Sequence, residues 1–86
     1  MILHHSERAN LIYIQFDDRD VAYSENISRG REYDRGVDYA ADGTPVGIEF
    51  LNVSRGVDLT GVPRADEILQ LLLENQIRET TIRELA

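Results

Sequence analysis

What constrains this chain most is a period of two. In the stretch LIYIQF, residues 11 to 16, Ile12, Ile14 and Phe16 fall on one side and Leu11, Tyr13 and Gln15 on the other. Alternation of this kind marks a strand buried on one face. It returns after the polar turn DDRD, Asp17 to Asp20, where Val21, Tyr23 and Ile27 oppose Ala22, Ser24 and Asn26. A third run carries Val37 and Tyr39, preceded by Tyr33, and a fourth sets Val46, Ile48 and Phe50 together. Asp42-Gly43 stands between the last two, a hairpin signal because both turn positions tolerate positive φ. Pro45 then opens a strand at a place where no ladder donor is needed. Glu49 points away from Val46, Ile48 and Phe50, alongside Gly47 and Leu51. Branched and aromatic residues on one side of every strand, with small and polar ones on the other, describe an antiparallel sheet covered on one face. Glu49 is expected on the uncovered face.

The cover follows in sequence. Pro63 pre-sets a first helical turn, and Asp66 and Glu67 suit the positive end of the helix dipole. Ile68, Leu69, Leu72, Leu73 and Ile77 recur at helical spacing and form an apolar stripe. The spacing predicts a helix over about 64–78, packed on the apolar face of a sheet spanning about 10–52. The tail, residues 79–86, departs from that stripe. Thr80, Thr81 and Ile82 form a β-branched run that disfavours helix, and Ile82 and Leu85 project away from the core side. The expected architecture is one α+β domain over residues 1–86: a four-stranded, mainly antiparallel meander with one C-terminal helix on one face.

Charge and composition then remove whole classes of function. Sixteen acidic residues face nine arginines, with no lysine and a net charge of −7. That field repels phosphate backbones and anionic membranes, so no nucleic acid and no membrane are expected as partners of the lone domain. It favours encounter with a basic protein. Without lysine, Schiff-base chemistry and Walker-type phosphate binding are excluded. Without cysteine there is no disulfide, thiolate or cysteine-based zinc site. MILHHSERANL shows no signal-peptide pattern, and no apolar run approaches the ~20 residues of a membrane span. A cytoplasmic protein is expected.

No catalytic constellation emerges. His4 and His5, adjacent in sequence, face opposite ways on a strand and do not share a metal. Asp17, Asp18 and Asp20 lack the glycine and distal glutamate of a calcium loop. Asp38, Asp42 and Glu49 are the only carboxylates grouped well enough for acid–base or metal chemistry, a third-ranked reading. ISRG and VSRG recur around Arg29 and Arg55, with Arg31 and Arg35 nearby, and raise the question whether these arginines share one patch. No cofactor and no catalytic or metal residue is expected.

Three stretches carry a resemblance: ERANLIYIQF, YSENI and VDYAADGTPVGIEFLNVSR. Together, over about residues 7–56, they resemble the domain-of-unknown-function 2283 family of small bacterial proteins. Leu11, Tyr13 and Ile14 match its first strand. Asp38, Asp42, Gly43 and the run Val46 to Leu51 match its aspartate-rich hairpin, with Ala40 where that pattern has a second acidic residue. The resemblance implies no established activity, and for some members an antitoxin role. The function expected is therefore a non-enzymatic, antitoxin-like protein-binding module. Tyr13, Glu49, Ile82 and Leu85 are its candidate contact residues. A standalone homo-oligomer is the alternative, with homodimerisation expected through the mixed sheet face of Leu11, Tyr13 and Leu51.

Overall fold

The computed structural model describes residues 1–75 and the backbone of residues 82–83. Five strands form one antiparallel sheet: β1 (Ile2–Ser6), β2 (Leu11–Gln15), β3 (Tyr23–Asn26), β4 (Arg35–Tyr39) and β5 (Pro45–Leu51). A 3-10 turn at Val53–Arg55 leads to β6 (Val57–Asp58), the helix α1 (Ala65–Glu74) and β7 (Ile82–Arg83), which pairs parallel with β6. The α+β class, the antiparallel sheet and the C-terminal helix are as the alternation implies.

Two features of the sheet differ from expectation. It has five strands instead of four, because Ile2–Ser6 pairs with β2. This strand reads ILHHS, and its paired histidines break the apolar alternation that identifies the others. The order is β1-β2-β5-β4-β3, so the sheet is not a simple meander. Strands β3, β4 and β5 are hairpin-connected neighbours, while β2 lies beside β5, which is the Greek-key arrangement. Alternation reports which face a residue occupies and says nothing of which strand lies alongside.

The connection from β2 to β3 therefore crosses the end of the β4–β5 hairpin. The Phe16 and Asp17 N–H groups both bond to the Val46 carbonyl, and Arg19 bridges Asp17 and Asp42 at 3.1 Å each. The hairpin turn itself is longer than Asp-Gly alone implies. The Gly43 N–H bonds to the Ala40 carbonyl, and the Ala40 N–H to the Thr44 carbonyl. Only Gly43, with φ +86°, takes the left-handed conformation. This is a type I turn closed by a glycine bulge, one of the two common hairpin solutions.

The core lies between the sheet and α1. Ile12 and Ile14 of β2, Val37 of β4 and Ile48 and Phe50 of β5 are buried with Val53, Val57, Leu59 and Val62 under Ile68 and Leu72 of the helix. Cross-strand register sets Ile12 against Phe50 and Ile14 against Ile48. The helix is shorter at both ends than the expected 64–78. Pro63 lies outside it, and Arg64 takes the left-handed conformation at the N-cap. Its guanidinium sits 5.1 Å from the Phe16 ring centre and pairs with Glu67 at 2.6 Å. At the other end the Asn75 amide bonds to the Leu71 carbonyl and closes the last turn. Leu73, expected in the stripe, is 39% exposed; Leu71 packs against the core in its place. Ile77 lies outside the described residues.

One core position carries a charge. Arg35 is 2% exposed and occupies the same face of β4 as Val37. Its guanidinium donates to the carbonyls of Ile27, Asp58 and Thr60. Carboxylate oxygens of Asp34 and Asp58 stand 3.7 and 3.9 Å away. A buried cation is tolerated only when paired and hydrogen-bonded, and Arg35 satisfies both conditions. It thereby fastens the loop after β3 and the segment that leads to the helix onto the sheet. Ser28 completes the anchor, its hydroxyl accepting from the N–H groups of Asp34 and Arg35. Substituting Arg35 by Met strands those acceptors and is expected to cost about 3–5 kcal/mol in urea unfolding. Arg55→Met, at a 72% exposed side chain, is expected to leave the same transition unchanged within error.

Candidate functional site

The face of the sheet turned away from α1 is built by the alternate residues of the same strands. Tyr13 of β2 stands directly opposite Glu49 of β5, and Asp38 of β4 directly opposite Gly47. Gly47 has no side chain, so the Tyr13 ring lies flat across β5 and reaches the next strand. Its hydroxyl donates to Asp38 Oδ2 at 2.9 Å, while the Ser24 hydroxyl of β3 donates to Oδ1 at 2.6 Å. A Cβ at position 47 would overlap the Tyr13 hydroxyl and ring carbon. The same device recurs one step away. Gly36, in register with Glu49, lies under the hydroxyl of Tyr33, which reaches in from the loop before β4.

The result is an acidic platform walled by two phenols. Glu49 and Asp38 are diagonal neighbours, and both raise the pKa values of the tyrosines around them. Burial, then the hydrogen bond to Asp38, then the charges of Asp38 and Glu49 push the Tyr13 phenol up to about 12. Burial and the same two charges raise Tyr33. Both phenols therefore keep their protons throughout the physiological range, and Tyr13 uses its own in the bond to Asp38. They are poorly suited to act as bases or nucleophiles, which require accessible deprotonation. Asp38 and Glu49 keep acceptor capacity of the kind that an arginine or lysine uses. His4 of β1, 6.5 Å from Tyr13 between ring centres, borders the platform. Leu11 and Leu51, paired in register, extend it as an apolar end.

The sequence candidates divide accordingly. Tyr13 and Glu49 come together with Asp38, and Glu49 occupies the uncovered face. Asp42 is engaged at the hairpin turn, where hydrogen bonds from Thr44 and Arg19 hold its carboxyl down at about 2. Ile82 lies in β7 beside Val57, a residue of the core on the helix side of the sheet. Leu85 falls outside the described residues. Of the four arginines, two share a cleft. Arg35 and Arg55 line a cleft of about 170 Å³ with Glu32, Asp34 and Asp58, and Arg29 and Arg31 are absent from its walls. Among the described residues, no group of three or more histidine, aspartate or glutamate side chains is arranged to hold a metal ion. Tyr33 was not legible as a site residue. It lies outside any strand, and only the register of Gly36 beneath it could have pointed to it.

A family model described as "Protein of unknown function (DUF2283)" matches residues 5–54, more than half of the chain. The chain belongs to that family. The matched segment runs from the end of β1 into the 3-10 turn after β5, so it contains Tyr13, Tyr33, Asp38 and Glu49 and leaves the helix outside. No curated protein and no solved structure matches the chain.

The geometry of this face predicts two outcomes. Gly47→Ala should cost about 1–3 kcal/mol by overpacking, and most of that penalty should vanish in a Tyr13→Ala background, as a double-mutant cycle would read. The second outcome concerns alkaline pH. An unfolded Tyr13 ionises near 10.0 and the folded one near 12, so the folded chain holds the proton longer. Stability supplied by Tyr13 is therefore complete below pH 10 and is lost between pH 10 and 12. Tyr13→Phe should flatten that part of the pH–stability curve, checked by urea titrations across the interval.

Proposed function

We propose that this protein is a non-enzymatic binding module whose acidic, hydrogen-bonding sheet face receives a basic protein partner. The carrying observation is the platform of Tyr13, Asp38, Glu49 and Tyr33 on one uncovered face. Asp38 is held in place by the Tyr13 and Ser24 hydroxyls, so little of its side-chain entropy is lost on contact. The net charge of −7 supports the same reading, since it steers a cationic partner toward the domain. An antitoxin-like role in the cytoplasm, neutralising a basic ribonuclease toxin, is the form this function takes. Tyr13 and Glu49 are the contact residues in this reading, with Leu11 and Leu51 as the adjoining apolar end.

The test is co-expression with the product of the neighbouring gene, followed by light scattering of the purified species. A hetero-complex that weakens steeply with added salt is expected. Glu49→Arg should reduce its affinity by about tenfold or more while leaving the thermal unfolding midpoint of the free domain in place. A well-expressed basic neighbour that stays unbound at low salt overturns the proposal.

A further inference from the structure

The two outer strands of the sheet are unequal, and the hydrogen-bond phase shows how. The Phe16 N–H bonds to the Val46 carbonyl, its partner in the β2–β5 register. In an antiparallel ladder, hydrogen-bonded pairs alternate with non-bonded ones. Ile12 and Ile14 thus turn their backbone groups toward β5, and Leu11, Tyr13 and Gln15 turn theirs toward β1. The bond from the Leu51 N–H to the Asp34 carbonyl gives the same phase from the other side of β5. In β1, Ile2, His4 and Ser6 are consequently bonded to β2, and the N–H and C=O groups of Leu3 and His5 point outward, away from the sheet.

We propose that a second copy of this chain pairs antiparallel with β1, joining the two sheets into one. A two-fold axis beside His4 sets Leu3 against His5 of the other copy and uses every outward group of the strand. His4 then faces its own counterpart as a non-bonded pair, at a Cα separation of about 4.5 Å. The strand ILHHS contains no lysine, arginine, aspartate, glutamate or proline, which are the usual devices that keep an edge from pairing. Its end is apolar, with Ile2 54% and Met1 39% exposed.

The same construction applied to the opposite edge fails. The Ile27 N–H bonds to the Arg35 carbonyl, so the outward residues of β3 are Ser24 and Asn26. Self-pairing there centres on Glu25 and sets two carboxylates directly opposite, which is destabilising. A register irregularity between Asp38 and Tyr39 further twists that side of the sheet. Two chains of charge −7 repel least where the facing surfaces carry no charge, and β1 is the neutral edge. This places self-association on the β1 edge and leaves the Tyr13 and Glu49 face open in each copy. The inference stands independently of the proposed partner.

Sedimentation at about 50 μM tests it, with backbone amide exchange by NMR as a second readout. The expected species has about twice the 9.8 kDa chain mass, with slow exchange at Leu3 and His5. His4→Glu sets two carboxylates face to face and should return the mass to that of a monomer, whereas His4→Thr should keep the dimer. His5→Pro removes an outward donor without touching the bonds to β2, and should also yield a folded monomer by circular dichroism. A monomeric wild type at this concentration overturns the proposal. So does a dimer that survives both His4→Glu and His5→Pro, or one whose Leu3 and His5 amides exchange freely.

Discussion

A charge inside the core organises this small domain. The Arg35 guanidinium is fixed by three main-chain carbonyls from two separate stretches of chain, with carboxylates of Asp34 and Asp58 close by. Such a group is costly to desolvate, and the chain path around it is the one that returns the cost. The loop after β3, the residues around β6 and the approach to the helix converge on it. Hydrophobic contacts alone are non-directional and would leave these segments free to slide. The hydrogen bonds of Arg35 give them a register. The helix can then lay Ile68 and Leu72 on a sheet whose edges are already held.

The two faces of the sheet are encoded by interleaved residues, and the glycines keep them apart. Ile12 and Ile14 belong to the core while Tyr13 between them serves the open face. Gly47 separates Val46 from Ile48 in the same way and makes room for the Tyr13 ring. In most strands a glycine weakens the packing. Here its missing side chain is replaced by an aromatic ring from the neighbouring strand, so Asp38 gains a donor from two strands away. Tyr13, Asp38 and Ser24 brace one another across β2, β4 and β3, over the backbone of β5.

Period-two alternation made β2, β4 and β5 legible with their faces, and helical spacing located α1. What it missed has physical causes. Strand β1 carries histidines where apolar residues would have declared it, and it pairs through backbone groups that side chains do not report. The neighbour relation of β2 and β5 depends on a crossing connection, which local patterning does not encode. Arg35 shares the parity of Val37 and Tyr39, so its place on the core face was available from the alternation, but its charge argued for the surface. On the open face, Glu49 and Tyr13 could be assigned a side from parity alone. Their meeting with Asp38 and Tyr33 requires the register of Gly47 and Gly36, a property of paired strands.

The crossing connection from β2 to β3 also divides the sheet into local and long-range pairings. The β1–β2 and β3–β4–β5 units are each made of neighbours in sequence and close short loops, which are fast to form. The β2–β5 seam joins residues far apart in the chain, Gln15 with Gly47 and Leu11 with Leu51. It is the step that carries the loop-closure entropy. Tyr13 spans that seam and rests on β5, so its bond to Asp38 exists only once the two units have docked. The acidic platform therefore exists only in a chain whose β2–β5 seam is closed, and it reports on that closure.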